Sequence, residues 1–259
     1  MPTLYLVPTP LGDPEDITLR ALRILREASA IAAADFEVAR LLLDAHGITT
    51  PIIAYHAVLD ALSNGDVALI ARAGTPGIGD AAQEIVREAI ARGVRVEPLP
   101  GADAAITALV ISGLPTDAFV YVGKLPDDLS AYTHERETMI FATNDVTETL
   151  MQMFAAFGDR RICIAARLTQ ETEGIYRGML RDALEFDRGQ TTPYEIMIVV
   201  EGAAGEAAEV WDEVRVQLAL RERLKAGEPL KLAAKAVAAE AGWDRRAVYT
   251  IGVELKKIM

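Results

Sequence analysis

Cysteine is nearly absent from this sequence, which contains one such residue, Cys163, and only three histidines. A single thiol excludes a disulfide framework and a cysteine-based metal site within one chain. Cys163 stands in the apolar run Ile162–Ala166, where we expect a buried and unreactive thiol. His46, His56 and His134 do not have the spacing of metal ligands, and we expect no metal site.

Long hydrophobic runs and surplus positive charge are also missing. No stretch approaches the ~18 uninterrupted apolar residues of a membrane span, and Met1–Val7 lacks the basic and apolar regions of a signal peptide. We therefore expect a cytoplasmic protein that does not enter a membrane. The formal net charge of -12 argues against a general nucleic-acid binder, which depends on lysine and arginine near phosphates, although a local basic patch is compatible with it.

Apolar strand candidates alternate with amphipathic helical segments through the first half of the chain. These strand candidates are Leu4–Val7, Ala30–Ala33, Ile52–Tyr55, Val67–Ile70 and Val94–Val96. Such alternation predicts parallel strands in a doubly wound α/β sheet. Sheets of this kind bind ligands in a crevice beyond the carboxyl ends of their strands.

A turn at Gly113–Asp117 separates this half from a second one with fewer helical segments, in which mixed strand directions are expected. The strand candidates of the second half are Phe119–Val122, Thr138–Phe141, Ile162–Ala165 and Ile196–Val200. An alanine-rich helical region follows the link Gly202–Glu206. The sequence therefore predicts an N-terminal α/β domain at 1–116, a second α/β domain at 117–203 and a helical tail at 204–259.

Three loops at strand ends are rich in glycine, alanine and proline: Val7–Gly12, Ala73–Asp80 and Leu99–Ala105. Glycine lets a ligand approach the main chain closely, and proline fixes the loop shape. Neither a dinucleotide fingerprint nor a phosphate-binding loop with lysine is present, so a neutral or zwitterionic ligand is favoured over a polyphosphate. Each loop alone is better explained as a tight turn; three at successive strand ends indicate a ligand site.

These loops carry a specific resemblance. The segments that carry it are Leu4–Gly12 with Glu15–Leu22, Ala73–Ile78 with Asp80, and Pro98–Gly101 with Ala104–Leu109 and Ser112–Asp117. In this order and spacing they resemble the tetrapyrrole methylase superfamily, and within it the family that methylates ribose 2'-hydroxyl groups of small-subunit ribosomal RNA. The resemblance is dense from residue 3 to about 126 and returns in the tail.

The resemblance implies two α/β domains with S-adenosyl-L-methionine folded into the cleft between them, a C-terminal helical extension, and a homodimer. It implies methyl transfer to a cytidine of small-subunit (16S) ribosomal RNA without a metal ion. The donor contacts that it implies are Pro8, Ala73, Gly74, Thr75, Pro76, Gly77, Ile78, Gly101, Ala102, Asp103 and Ala104, with Ala142 and Leu168 from the second domain.

The sequence departs from the family pattern at several positions of the cleft. Ala34–Glu37 keeps only Asp35 of Glu-Asp-Thr-Arg, and Ala71–Arg72 replaces Ser-Asp. Ala166–Thr169 replaces Arg-Glu-Leu-Thr, and Asp103 replaces a serine. The loop Asp127–Ser130 is short and acidic where the family has a basic loop, so the obvious phosphate contacts are lost.

Asp35 is the candidate catalytic or acceptor-positioning residue, and the alternative is that it caps the helix that follows. Asp103 caps its helix or contacts the donor, and the cap is favoured. The reversed charges at Glu37 and Arg72 predict an ion pair between these two residues.

Two other functions stay open: a donor-binding protein without transfer activity, and a methylase of a small, tetrapyrrole-like acceptor. The acidic loop favours both. The full-length resemblance and the basic residues of a helix-turn-helix tail, Lys231, Lys235, Arg245, Arg246, Lys256 and Lys257, favour RNA.

Overall fold

The structure, a computed structural model, describes residues 2–186, 196–204, 211–241 and 243–258. The chain divides into two compact units, Met1–Ala203 and Ala204–Met259. The first unit contains two five-stranded sheets, and the described part of the second is helical. No helix in the described ranges combines the length and the apolar character needed to cross a bilayer.

The first sheet consists of parallel strands, as predicted. Its strands are β1 (Thr3–Val7), β2 (Ala30–Ala33), β3 (Ile52–Ala54), β4 (Val67–Ile70) and β5 (Arg95–Pro98). They lie in the order β3-β2-β4-β1-β5, and every pair is parallel. All residues of β2 and β4 are buried, because helices cover both faces of a parallel sheet.

A short helix follows each of these strands. These helices are α1 (Leu19–Glu27), α2 (Phe36–Ala45), α3 (Val58–Ala61), α4 (Ala82–Ala91) and α5 (Ala104–Ser112). In α1, Thr18 caps the first turn by accepting a hydrogen bond from Ala21 N, and Ile24 and Leu25 lie three and four residues further along the same face. That spacing packs the apolar side of α1 against the sheet.

The second sheet has mixed strand directions, which confirms the expectation for this half. Its strands are β6 (Phe119–Lys124), β7 (Thr138–Thr143), β8 (Arg161–Ala166), β9 (Gly174–Met179) and β10 (Ile196–Val200). The order is β6-β7-β10-β8-β9, where β6 and β7 are parallel and the other pairs are antiparallel. The helices α6 (Val146–Phe157) and α7 (Leu180–Phe186) belong to this half.

Helix α5 joins the two sheets. It follows β5 of the first sheet but packs against β7, β8 and β10 of the second. Ala108 and Leu109 of α5 share a buried cluster with Ile140, Cys163 and Val199. The two sheets thus lie in one compact unit, and the predicted domain division between residues 116 and 117 stays a prediction. Cys163 is buried and unpaired, as expected.

The second unit contains α8 (Glu213–Lys225), α9 (Leu230–Ala241) and α10 (Arg245–Ile258). Val216, Leu220, Val237 and Val248 form its apolar centre. The break between Ala241 and Arg245 matches the predicted helix-turn-helix. The side chains of Lys256 and Lys257 lie outside the described part of this unit.

Candidate active site

The three predicted loops meet at the carboxyl edge of the first sheet, because β4, β1 and β5 are neighbours. Thr9 and Gly74 exchange backbone hydrogen bonds of 3.0 and 2.9 Å, which joins the first loop to the second. Thr75 Oγ1 donates to the carbonyl oxygen of Ala102 at 3.0 Å, which joins the second loop to the third. The loops therefore form one assembly.

Close backbone contact holds this assembly together. A Cβ atom added to Gly101 would lie 2.5 Å from Cβ of Pro8, so the third loop packs against the first only because Gly101 has no side chain. Gly74 and Gly77 have φ angles of 74° and 94°, a region that other residues rarely adopt. The glycines of the sequence pattern are thus required by the geometry of the loops.

A cleft of about 440 Å³ opens at these loops, within the usual size range of small-molecule sites. Its lining comes from both halves of the first unit: Leu11, Val38, Ala71, Arg72, Ala73, Thr75, Ile78, Gly79, Asp80, Ala104, Asn144, Arg167, Leu168, Gln170 and Met197. A second cavity of about 410 Å³ shares Gly79 and Asn144 with it.

Five of the predicted donor residues line the cleft: Ala73, Thr75, Ile78, Ala104 and Leu168. Ala142 lines the second cavity. The remaining seven belong to the loops that hold the lining residues and are not part of the lining: Pro8, Gly74, Pro76, Gly77, Gly101, Ala102 and Asp103.

The sequence interpretation missed several residues of the lining, among them Leu11, Asn144, Gln170 and Met197. Asn144 directly follows β7, so a strand-end rule applied to the second half would have found it. Met197 lies within β10, and the sequence carries no signal for the face of the strand on which it stands.

The loop between β8 and β9 brings the second half to the cleft in a strained backbone conformation. Arg167 and Thr169 have φ angles of 53° and 61°, which is uncommon for residues other than glycine and costs free energy. Thr169 Oγ1 accepts a hydrogen bond from Asp13 N at 3.0 Å, and Thr169 N donates to Glu173 Oε2 at 2.9 Å. The first contact fixes the loop against the segment that follows β1, and the second lies within the loop.

Asp35 caps α2, which confirms the helix-cap interpretation of this residue. Its Oδ1 accepts hydrogen bonds from Glu37 N and Val38 N, both at 3.1 Å. Its Oδ2 lies 3.9 Å from Nε of Arg72. Asp35 does not line the cleft itself, although Val38 and Arg72 do. A catalytic role for Asp35 stays a prediction.

The predicted ion pair between Glu37 and Arg72 is wrong: within the described ranges Arg72 pairs with Asp35 instead. The strand register explains the difference. Ala33 of β2 stands opposite Ile70 of β4, so the residues two positions later, Asp35 and Arg72, are neighbours. Glu37 lies further along, in the first turn of α2, and is exposed.

The side chain of Asp80 stabilises the second loop by accepting hydrogen bonds from backbone N–H groups. Its Oδ1 accepts hydrogen bonds from Gly77 N and Ala82 N, both at 2.9 Å.

Burial raises the pKa of Tyr55, and the negative charge of Asp80 raises it further. The Tyr55 hydroxyl donates to the carbonyl oxygen of Ile70 at 2.7 Å, at the end of β4.

The described residues include no group of three or more histidine, cysteine, aspartate or glutamate side chains placed to hold a metal ion.

Comparisons with known proteins agree with this geometry. The ribosomal RNA small subunit methyltransferase I of Halalkalibacterium halodurans is 36% identical to this chain, with 96% of the chain and 94% of the relative covered. The protein of the same name from Mesorhizobium japonicum is 38% identical, with 98% and 92% covered.

A solved structure has the same fold. The uroporphyrin-III C-methyl transferase of Thermus thermophilus, complexed with S-adenyl homocysteine, superposes with a TM-score of 0.57 at 23% identity, over 76% of this chain and 91% of that one. Residues 3–184 match the family model of tetrapyrrole (corrin/porphyrin) methylases. The chain therefore belongs to the tetrapyrrole (corrin/porphyrin) methylase family and is an S-adenosylmethionine-dependent methyltransferase.

Proposed function

We propose that this enzyme transfers the methyl group of S-adenosylmethionine to the ribose 2'-hydroxyl of a cytidine in small-subunit ribosomal RNA. The observation that carries the proposal is the cleft lined by the connected strand-end loops of the first sheet and by the loop after β8. The near full-length similarity to two proteins named ribosomal RNA small subunit methyltransferase I supports the choice of acceptor.

The lining suits a donor that is part apolar and part zwitterionic. Leu11, Leu168 and Met197 offer apolar surface, and Asn144 and Gln170 offer polar side chains. The main chain of 73–78 and the residues from Gly101 to Ala104 complete the proposed donor contacts. Ala142, which lines the second cavity, is assigned to the side of the donor that faces β7.

Bound S-adenosylmethionine supplies a methyl group on a positively charged sulfur, so the protein has mainly to align the acceptor oxygen and exclude water. We assign the exclusion of water to the apolar lining residues. Asp35 is the carboxylate that we place on the acceptor side, because its Oδ2 is not used by the helix cap and faces Arg72. A carboxylate there can assist removal of the hydroxyl proton.

The test is transfer of a labelled methyl group from S-adenosylmethionine to small ribosomal subunits that lack this modification. Labelled 2'-O-methylcytidine in the digested RNA is the expected result. Calorimetric titration with S-adenosylhomocysteine runs in parallel and checks that the cleft takes the donor skeleton. Binding of this ligand without transfer to RNA would overturn the proposed acceptor and leave a donor-binding protein or a methylase of another acceptor.

A small-molecule acceptor is the second candidate, and the segment after β6 favours it. Asp127 and Lys124 line the second cavity, and Asp128 accepts a hydrogen bond from Ser130 N at 2.8 Å. Two adjacent carboxylates repel an RNA backbone, whereas a cavity of this size beside the donor cleft fits a compact molecule. Transfer to a tetrapyrrole precursor, with none to ribosomal subunits, would select this candidate.

We further propose that the enzyme acts as a homodimer in the cytoplasm. Ile106 and Val110 are 44% and 70% exposed on the outer side of α5, where apolar side chains are available for a second copy. Sedimentation at several protein concentrations tests the proposal. A mass of one chain at all concentrations would contradict it.

A further inference from the structure

Three charged side chains line the cleft within the described residues: Arg72, Arg167 and Asp80. The two arginines come from opposite halves of the unit, Arg72 from the loop after β4 and Arg167 from the loop after β8. The Asp80 carboxylate is held by Gly77 N and Ala82 N, as described above. Two cationic side chains from different loops therefore line the same cleft.

The guanidinium of Arg72 is available to a ligand. Its side chain is 59% exposed, and its contact with Asp35 at 3.9 Å exceeds hydrogen-bond length. An exposed pair of this kind contributes little to stability. Asp35 is itself fixed by the α2 cap, so its carboxylate lies near Arg72 without consuming the N–H donors of the guanidinium.

The backbone conformation of Arg167 costs free energy. Its backbone has a φ of 53°, and its Nε donates to the carbonyl oxygen of Thr172 at 2.8 Å. It forms no ion pair with a carboxylate of the described part of the chain. A strained backbone that presents an arginine without an acidic partner to a cleft is typical of a functional site rather than of a stabilising contact.

We infer that Arg72 and Arg167 together form the binding site for a backbone phosphate of the acceptor RNA, on the mouth of the donor cleft. This inference rests on the proposed function. A ribose whose 2'-hydroxyl enters the cleft carries phosphates on both sides, and guanidinium groups bind phosphate oxygens through paired N–H donors. The acidic segment Asp127–Ser130 offers no such contact, and the chain as a whole carries a net charge of -12. The two arginines supply local positive charge where the acceptor must lie.

The experiment compares R72A, R167A and the double variant with wild type, using small ribosomal subunits that lack the methyl group. We expect each single variant to raise KM for the subunits about tenfold, which is the loss of one charge-assisted hydrogen bond. We expect the affinity for S-adenosylhomocysteine to stay unchanged, because the inference assigns both guanidinium groups to the acceptor and not to the donor. The slope of RNA affinity against salt concentration, measured by filter binding, falls by about one for each arginine removed.

Two sets of variants separate this role from a structural one. R87A removes an exposed arginine of α4 that lines neither cavity, and it leaves KM and the salt slope unchanged. R72K and R167K keep the positive charge but lose the planar N–H donors of the guanidinium. Relative to the alanine variants, they are expected to restore the wild-type salt slope and to lower KM only part of the way to the wild-type value. Thermal unfolding of each variant is measured alongside, and midpoints equal to wild type are expected.

Failure of this inference is distinguishable from failure of the proposed function. Methylation of subunits by wild type, with an unchanged salt slope in R72A and R167A, would overturn the phosphate site and leave the function standing. A salt slope of RNA binding that falls by about one in each single variant, without methylation by wild type, would leave the site standing and overturn the function. Weaker binding of S-adenosylhomocysteine in R72A or R167A would overturn the inference, because the arginines would then serve the donor.

Discussion

Gly12 lies against the backbone of Leu168, so that the segment after β1 and the loop after β8 touch at the edge of the cleft. A Cβ atom added to Gly12 would lie 2.7 Å from the carbonyl oxygen of Leu168 and 2.9 Å from Gln170 N. Backbone atoms cannot move aside as the end of a flexible side chain can. The two halves of the unit therefore approach each other here because position 12 has no side chain.

Gly12→Ala is expected to force these segments apart and weaken the binding of S-adenosylhomocysteine. Overpacking of this kind typically costs about 1–3 kcal/mol, so about a tenfold or greater loss of affinity is expected by calorimetry. Gly174→Ala is the matched control, because its Cβ would meet only the end of the Arg167 side chain at 3.9 Å. Equal affinities in Gly12→Ala and wild type would contradict this role of the contact.

Asp103 caps α5 through a 3.0 Å hydrogen bond that its Oδ1 accepts from Ile106 N. Asp103→Ala is expected to lower the free energy of unfolding by about 1 kcal/mol, whereas Asp103→Asn keeps the cap and the stability. Urea unfolding measures both. We expect Asp103→Asn to bind S-adenosylhomocysteine as wild type does; a marked loss in that variant would show that the carboxylate contacts the donor.

Tyr55 makes stability depend on alkaline pH. Burial, followed by the charge of Asp80, raises the pKa of Tyr55 above the ordinary value of 10.0. The folded state therefore keeps the hydroxyl proton at a pH where the unfolded chain loses it. The contribution to stability is complete below about pH 10 and declines as the pH rises beyond it.

Tyr55→Phe is expected to reduce this alkaline loss. At neutral pH the variant is less stable by about 1 kcal/mol, since the hydrogen bond to Ile70 is gone. Urea unfolding at about pH 8 and about pH 11 then shows a smaller decline for the variant than for wild type. Tyr249→Phe, at a 44% exposed position, serves as control. Identical declines in Tyr55→Phe and wild type would refute the assignment.

Leu220 supports the second unit from a fully buried position in α8. Leu220→Ala is expected to destabilise this unit by about 2–5 kcal/mol. Both tryptophans of the chain, Trp211 and Trp243, pack against the same cluster, so tryptophan fluorescence reports on its unfolding. Leu218→Ala, at a 57% exposed position, should leave the fluorescence midpoint unchanged. A wild-type midpoint in Leu220→Ala would contradict the importance of this side chain.

The first sheet was predictable from the sequence because its inner strands are buried on both faces. Val67–Ile70 and Ala30–Ala33 are uniformly apolar, and the structure gives both strands the predicted bounds. Strand β9, Gly174–Met179, was not predicted. It lies at the edge of its sheet and is only partly buried, so it carries neither a continuous apolar run nor a clear alternation.

The loops of the site were predictable from the sequence, but the contacts between residues far apart in the chain were not. Glycine and proline mark the loops because the close approach of Gly101 to Pro8 depends on those residue types. The contact between Asp35 and Arg72 depends on the register of β2 against β4, which single-residue patterns do not encode. The packing of α5 against the second sheet is likewise a long-range contact between segments far apart in the chain.

The position of Cys163 has a practical consequence for labelling the protein near the cleft. Its thiol is fully buried on β8, and burial raises its pKa, so the reactive thiolate is scarce and shielded. A cysteine introduced on an exposed loop would be the accessible labelling site of the folded chain, and the native Cys163 would not have to be replaced. A fluorescent or spin probe on either side of the cleft can therefore be attached to a protein that carries one substitution.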